Sequence, residues 1–320
     1  MPEMTTRALL DVLALSYGGR GIALTPFYAE PDHAVYRVDR TNGAPWVVRH
    51  FSSTRRYSDV EGDADVLDHV RHLRVEQIVH TKAGNGAARA DGRGVIVTEL
   101  EEGPLASPSP QTLLEVGATL GALHRLQPAR TPGVTRRAGS LPREDLALGR
   151  RYLSDIAEDV PDDQRDAYWR LDRDLASTSD CADLPHTLVH SDCHLGNVIQ
   201  TARGAVLIDW QNAGQGPAIA SLGWLLYSAA IQSPAGPVEE FDPLRVDAVL
   251  QGYCQHRTPH PDELARLADA MRFRPLVIAA RAFRESIKTK TPAAATGWWS
   301  RYAKAEAVAH RANEYCAHER

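Results

Sequence analysis

The sequence has little of what marks a disulfide-held, membrane-bound or nucleic-acid-binding protein. Four cysteines stand in 320 residues, at positions 181, 193, 254 and 316. No two of them form a C-x-x-C pair, so neither a zinc ribbon nor a redox dithiol is indicated, and reduced thiols in a cytosolic protein are expected. No long apolar run is present. The longest, AIASLGWLLYSAAI over 218–231, has 14 residues and includes serines, which is too short to span a bilayer and reads as a core helix. The opening MPEMTTRALLDVLALSYGG lacks a basic region and a small-residue cleavage site, so no signal peptide is expected. Positive charge is not in excess: 36 Lys and Arg against 41 Asp and Glu give a net charge of -5, which argues against a nucleic-acid partner. There is no internal repeat and no low-complexity tract. A chain that is 43% hydrophobic and 24% charged is then expected to be globular and cytoplasmic, with no membrane partner; composition does not give its oligomeric state, and a monomer is the default expectation.

What is present is a change of period along the chain. HAVYRVDR alternates, TNG turns and APWVVRHF follows, which predicts an antiparallel hairpin over 33–51. Val60, Ala64, Leu67 and Val70 have helical spacing, and GVIVTEL (94–100) reads as a further strand. GPLASPSP (103–110) is a linker, and it divides the chain into 1–102 and 103–320. Beyond it the pattern is helical. Leu113, Val116, Leu120 and Leu123 form one stripe, with Gly117 and Gly121 on a face that permits close packing. Two more helices are expected over 143–158 and 162–177, and another over 262–286 with a kink or break at Pro275. TLVH and AVLIDW interrupt the helices as short strands. The fold class is therefore α+β, a β-rich N-terminal part and a mainly helical C-terminal part with a small β insertion.

That insertion carries the chemistry. HSDCHLGNVIQTARGAVLIDW (190–210) packs ionisable groups between two β-branched runs. His190, Asp192 and Asn197 fit H-x-D-x-x-x-x-N, the pattern in which a protein-kinase loop holds an Asp for the substrate hydroxyl and an Asn for a magnesium ion. AVLIDW then ends in Asp209. Phosphoryl transfer needs magnesium and a carboxylate that aims the hydroxyl, and magnesium takes one or two carboxylates with a neutral oxygen. Asp192, Asn197 and Asp209 suffice, and a hairpin joined by QTARG would bring Asp209 beside Asn197.

LVHSDCHLGNVI followed by AVLIDWQNAGQGPAIASLGWLL resembles the aminoglycoside phosphotransferase family, within the small-molecule kinases that include choline kinases. TLGALHRL and VTELEEG resemble segments of the same family, in the same order. The resemblance implies a protein-kinase-like bilobal fold, ATP and magnesium as cofactors, and a small-molecule hydroxyl as acceptor. It makes Asp192 the catalytic Asp, Asn197 and Asp209 the metal ligands, and His190 a brace for the loop. It makes 98–103 the hinge, with the backbone at Glu99 and at Leu100 or Glu101 pairing with adenine.

Four departures from the family pattern stand out. The third strand offers Arg49 where a Lys usually holds the phosphates, and a planar fork is not equivalent to a point charge. Its partner on the following helix is Asp63 by the apolar stripe, with Glu61 as the alternative. The phosphate-covering stretch LTPFYAEPDHAVYRV has no Gly, and a plain turn at Asp32 and His33 is expected. Ser221 stands where relatives often have an Asp.

The acceptor pocket is expected from 127–180 and from 235 onward. Asp155, Glu158, Asp159, Asp162, Asp163 and Asp166, with Glu239, Glu240 and Asp242, could either attract a polycationic antibiotic such as an aminoglycoside or form solvated helix ends. Trp169, Trp298 and Trp299 read as core. Two other functions remain open. His190, Asp192 and His194 share one side of a strand and could hold a hydrolytic metal, although no H-x-H or H-E-x-x-H accompanies them. Arg49, the Gly-free loop and Ser221 could instead mark a non-catalytic ATP-binding relative.

Overall fold

The computed structural model describes residues 3–29, 33–126, 141–233, 236–237, 241–291 and 304–318. Asp32, Glu239, Glu240, Trp298 and Trp299 lie outside them. The N-terminal part opens with helix α1 (Glu3–Leu15), which the alternation-led reading did not anticipate. A five-stranded antiparallel sheet follows, with strands β1 (Ala23–Ala29), β2 (His33–Asp39), β3 (Trp46–Phe51), β4 (Ala87–Ala90) and β5 (Arg93–Glu99) in the order β1-β2-β3-β5-β4. The expected hairpin forms with Val38 opposite Trp46 and His33 opposite Phe51. β3 is bonded on both sides, to β2 and β5, and is therefore an interior strand rather than an edge. Helix α2 (Tyr57–Val70) connects β3 to β4 and buries Val60, Asp63, Ala64, Leu67 and Val70 along one stripe.

Among the described residues, seven further helices make up most of the rest: α3 (Pro110–Arg125), α4 (Pro142–Ser154), α5 (Arg165–Ser177), α6 (Ala218–Leu226), α7 (Pro243–Cys254), α8 (Pro261–Ala265) and α9 (Leu267–Thr289), before a last one, α10 (Ala305–His318). Two small hairpin-like sheets lie between α5 and α6. β6 (His186–Val189) pairs with β9 (Gly214–Pro217), and β7 (Val198–Thr201) pairs with β8 (Gly204–Leu207). α6 is buried along its whole length, as expected of the apolar run, and continues as one π-helical turn over Tyr227–Ile231.

α3 and α7 cross at contact distance because both faces carry glycines. A Cβ on Gly117 would collide with the Val249 carbonyl, one on Gly121 with the Tyr253 carbonyl, and one on Gly252 with the Leu114 carbonyl. Pro275 does not break α9, which runs through it as one 23-residue helix. Trp169 is not core: 59% of it is exposed on the outer face of α5, where Tyr168 takes the buried position. The largest apolar cluster spans both parts of the chain, from Phe51, Val60 and Ile96 through Val198, Leu207 and Trp210 to Leu120, Val249 and Tyr253. This shared core sets the sheet directly above the β7–β8 hairpin.

Candidate active site

The loop between β6 and β7 is organised around one fully buried imidazole. His190 accepts the Asp192 amide N–H at Nδ1 (3.1 Å), and its Nε2 donates to the Ile208 carbonyl (3.1 Å). That pattern selects the neutral tautomer with the proton on Nε2. Burial lowers its pKa to about 4. The Trp210 ring meets it edge-on at 4.7 Å, and the Ser221 hydroxyl donates to its carbonyl at 2.8 Å. Ser221 thus holds the loop with a hydrogen bond and no charge. The imidazole in turn ties the backbone of Asp192 to the residue before Asp209.

Asp192 accepts from two donors on each carboxylate oxygen. Oδ1 receives Trp224 Nε1 (2.9 Å) and an Arg274 terminal nitrogen (2.6 Å). Oδ2 receives Asn197 Nδ2 (3.1 Å) and His194 Nε2 (3.3 Å). Burial pushes this carboxyl up, but the hydrogen bond from His194 and the charge of Arg274 outweigh it and hold the group well below the ordinary carboxylate range. Asn197 also donates to the Asp192 carbonyl (2.9 Å), so both its Nδ2 bonds run to Asp192 and its Oδ1 has no partner among the described residues.

Asp209 leaves the β8 strand with φ 66°, a left-handed conformation that Asp tolerates better than most residues. Its amide donates to Glu76 Oε1 (2.7 Å), and its Oδ1 accepts from Gln211 Nε2 (3.1 Å). No protein group bonds Oδ2 among the described residues. An amide oxygen and a carboxylate oxygen left unsatisfied on neighbouring strands form a donor set suited to a hard divalent cation. The rival metallohydrolase triad does not form among the described residues, because both ring nitrogens of His190 are taken by backbone groups.

Arg49 lies under the sheet, 6% exposed, and its partner is neither Asp63 nor Glu61. Its terminal nitrogens grip the Glu76 carboxylate at 2.8 and 3.2 Å. Glu76 stands after α2, where Val75 bridges Leu207 in parallel and the Glu76 amide donates to the Leu207 carbonyl (3.1 Å). Asp63 is buried, as the α2 stripe requires, but it accepts from Arg55 (2.5 Å) and from the Asn212 amide (3.0 Å). Glu61 is exposed. Helical period points only to acids on the helix; the signal for Glu76 is a lone acid inside the apolar stretch VEQIV.

A cleft of about 270 Å³ opens above the hairpin. Val35, Val47 and Arg49 line it from the sheet, Ile199 and Ile208 from below, and Glu99, Leu100 and Glu101 along the back. Phe27 and Tyr28 of β1 stand at its mouth, 50% and 45% exposed, where glycines were missing from the sequence. His33 packs behind Tyr28 and accepts from Gln211 (3.2 Å). The Leu100 amide is taken by the Pro45 carbonyl (3.1 Å) and the Glu99 amide by the Gln77 carbonyl (2.8 Å). Of the three, Glu101 is the residue whose backbone N–H can serve a ligand.

The acidic stretch after α4 lies elsewhere. Asp155 pairs with Arg284 (3.1 Å) and Asp162 with Arg165 (2.9 Å). Asp159 and Asp163 line a separate hollow with Lys288 and Lys290. Arg274, at Asp192, and Lys288 share α9 and stand about 20 Å apart along its axis. Asp242 caps α7 by accepting from the Leu244 amide. The residues that sequence reasoning missed at the centre are Glu76, Trp224 and Arg274. The last two reach Asp192 from 32 and 82 positions away, with no local signal.

Solved structures similar in fold include an amicoumacin kinase in complex with AMP-PNP and Ca2+ (18% identity, TM-score 0.67, covering 99% of this chain and 96% of that one). A spectinomycin phosphotransferase in complex with ADP and spectinomycin gives the same TM-score of 0.67 at 12% identity, with 97% and 98% of the two chains covered. A choline kinase from Cryptosporidium parvum gives 0.60 at 12% identity, with 97% and 96% covered. The bilobal kinase-like fold expected from the sequence is therefore the fold observed. No curated protein sequence matches the chain. The family model described as "Phosphotransferase enzyme family" matches residues 24–267, and the chain belongs to that family.

Proposed function

We propose that the protein transfers the γ-phosphoryl group of ATP to a hydroxyl of a small molecule, with lobes 1–102 and 103–320 meeting at the cleft. The observation that carries this reading is the convergence of Asp192, Asn197 and Asp209 on one hairpin beneath the cleft. Glu99 and Glu101 would pair with the adenine through the Glu99 carbonyl and the Glu101 amide, between Val35 and Val47 above and Ile199 and Ile208 below. Arg49 would face the phosphates with its charge rather than its fork, since the fork is closed on Glu76. Asn197 and Asp209 would hold magnesium, which neutralises phosphate oxygens when bound.

Asp192 orients the acceptor. All of its lone-pair sites are filled, and the longest contact, from His194 at 3.3 Å, is the one a hydroxyl would replace. The acceptor oxygen bonds to the γ-phosphorus as the bond from that phosphorus to the β,γ-bridging oxygen breaks. ADP leaves with the electron pair, and the hydroxyl proton passes to Asp192. The low affinity of this carboxylate for protons makes it chiefly an aiming group, with transfer late along the reaction. His190, neutral and buried, keeps the loop in place and takes no proton.

No described helix is long and apolar enough to cross a membrane. On this reading the protein works in the cytosol, where ATP and magnesium are supplied, and as a monomer. ADP release with a panel of hydroxyl compounds tests the proposal. Activity should vanish with EDTA and return with Mg2+. Asp192→Asn should lower the rate by roughly 10²–10⁴-fold while nucleotide binding persists. Full activity in that variant would overturn the assignment.

A further inference from the structure

The acceptor side of Asp192 is held by a cation, and this bears on what the acceptor is. Arg274, on α9, donates to Asp192 Oδ1 at 2.6 Å with its side chain 19% exposed. It uses one N–H for that bond, and among the described residues no other hydrogen bond is made by its guanidinium. A guanidinium carries five N–H donors and does not deprotonate. Its plane lies over Trp224, 5.2 Å from the ring centroid, and near Phe273, so an apolar wall flanks the donors left over. Asp145, on the first turn of α4, is close enough for the two charges to interact but forms no ion pair with it. Arg274 and Trp224 share Oδ1, while Asn197 engages Oδ2. The cation therefore stands on Oδ1, across the carboxylate from Oδ2, where Asn197 and the contact a hydroxyl would replace both lie.

We propose that Arg274 determines acceptor specificity by binding a carboxylate on the acceptor, so that the substrate is a hydroxy acid rather than a polycation. This rests on the kinase reading above. The hydroxyl would sit on Asp192, and the carboxylate would close the unused N–H edge of Arg274 with charge-assisted bonds. A cationic group would meet Arg274 at short range; Asp145 is the acid beside it, and the acids after α4 line the hollow at the far end of α9.

The test compares matched acceptors: ω-hydroxy acids of two to six carbons, their primary amides and the corresponding amino alcohols. ATP-dependent phosphorylation is read as kcat/KM for each. The acids should exceed their amides by roughly ten- to a hundredfold, the range of a charge-assisted hydrogen bond. Arg274→Gln should erase that ratio chiefly through KM, and Arg274→Lys should restore part of it. Because the readout is a ratio within one variant, general damage to the loop cancels. Equal loss on acids and amides would make Arg274 a positioning residue for Asp192 and overturn the proposal, as would a preference for amino alcohols in the unmodified protein. If no acceptor is turned over, saturable effects of the acids on slow ATP hydrolysis, present in the unmodified protein and absent in Arg274→Gln, still support the site, and their absence refutes it. Loss of nucleotide binding and of Asp192-dependent hydrolysis would refute the kinase reading itself.

Discussion

Replacing Glu76 by glutamine tests the pairing on which both lobes converge. Both carboxylate oxygens are committed, Oε2 to one Arg49 nitrogen and Oε1 to the other and to the Asp209 amide. However the glutamine amide is turned, its NH2 meets an N–H donor. Arg49 keeps its charge at 6% exposure, with the more loosely placed carboxylate of Asp209 left to offset it. Breaking one partner of a buried pair costs about 3–5 kcal/mol, a large part of a total stability of roughly 5–15 kcal/mol. At a urea slope of about 3 kcal/mol/M the midpoint should fall by roughly 1–1.7 M. Phosphoryl transfer should fall by about 10²-fold as Asp209 loses its backbone anchor. The paired apolar replacement Arg49→Met with Glu76→Leu should regain most of the stability and none of the activity. Urea denaturation followed by circular dichroism, together with ADP release, measures both. A loss below about 1 kcal/mol in Glu76→Gln, or coupling of Arg49 to Asp63 instead of Glu76 in a double-mutant cycle, would refute the reasoning.

Two further outcomes are expected. The folded chain holds His190 near 4 against an ordinary 6.5, so between those values the unfolded chain binds a proton that the folded one refuses. Stability should therefore fall as pH drops through that window, by about 3 kcal/mol at its limit. His190→Asn, less stable at pH 7.5, should close the gap to the unmodified protein by pH 4.5, and parallel pH profiles would contradict this. Gly117→Ala should destabilise by about 1–3 kcal/mol, because the collision with Val249 outweighs the roughly 1 kcal/mol that alanine gains in a helix, and a raised melting temperature would show that the crossing can relax.

The parts of the fold legible in the sequence were those with a local cause. The 33–51 hairpin follows from alternation around a turn, α2 and α3 from apolar spacing, and the close helix crossing from Gly117 and Gly121. α1 is hidden because its short amphipathic pattern opens a region dominated by strand alternation. β9 went unread because Gly214–Pro217 has no strand propensity and pairs only through its partner β6. The loop residues Asp192, Asn197 and Asp209 could be found because they sit within 18 positions of one another. The burial of Asp63 was legible but its partner was not, since helical period reports which face is covered and not by what. Glu76 and Arg274 are tertiary facts, fixed by how a connecting strand and a distant helix are delivered to the hairpin.

The segment at 74–76 has a consequence for motion. Leu207 donates to the Arg74 carbonyl (3.1 Å) and accepts from Glu76, while Asp63 and Arg55 hold Asn212. On the other flank the Gln200 amide meets the Pro104 carbonyl and the Ala106 amide the Val198 carbonyl. The rear of the cleft is thus stitched along two seams. The first joins the two lobes, so rotating one away from the other would tear it, while the second lies within 103–320 and pins the end of the linker to the hairpin. Traffic through the cleft is left to its front edge, where β1 is bonded only to β2 and irregularly at Pro26–Tyr28. Entry and exit of ligands should then be governed by the swing of a single hairpin carrying Phe27 and Tyr28, with the polar floor beneath it held still.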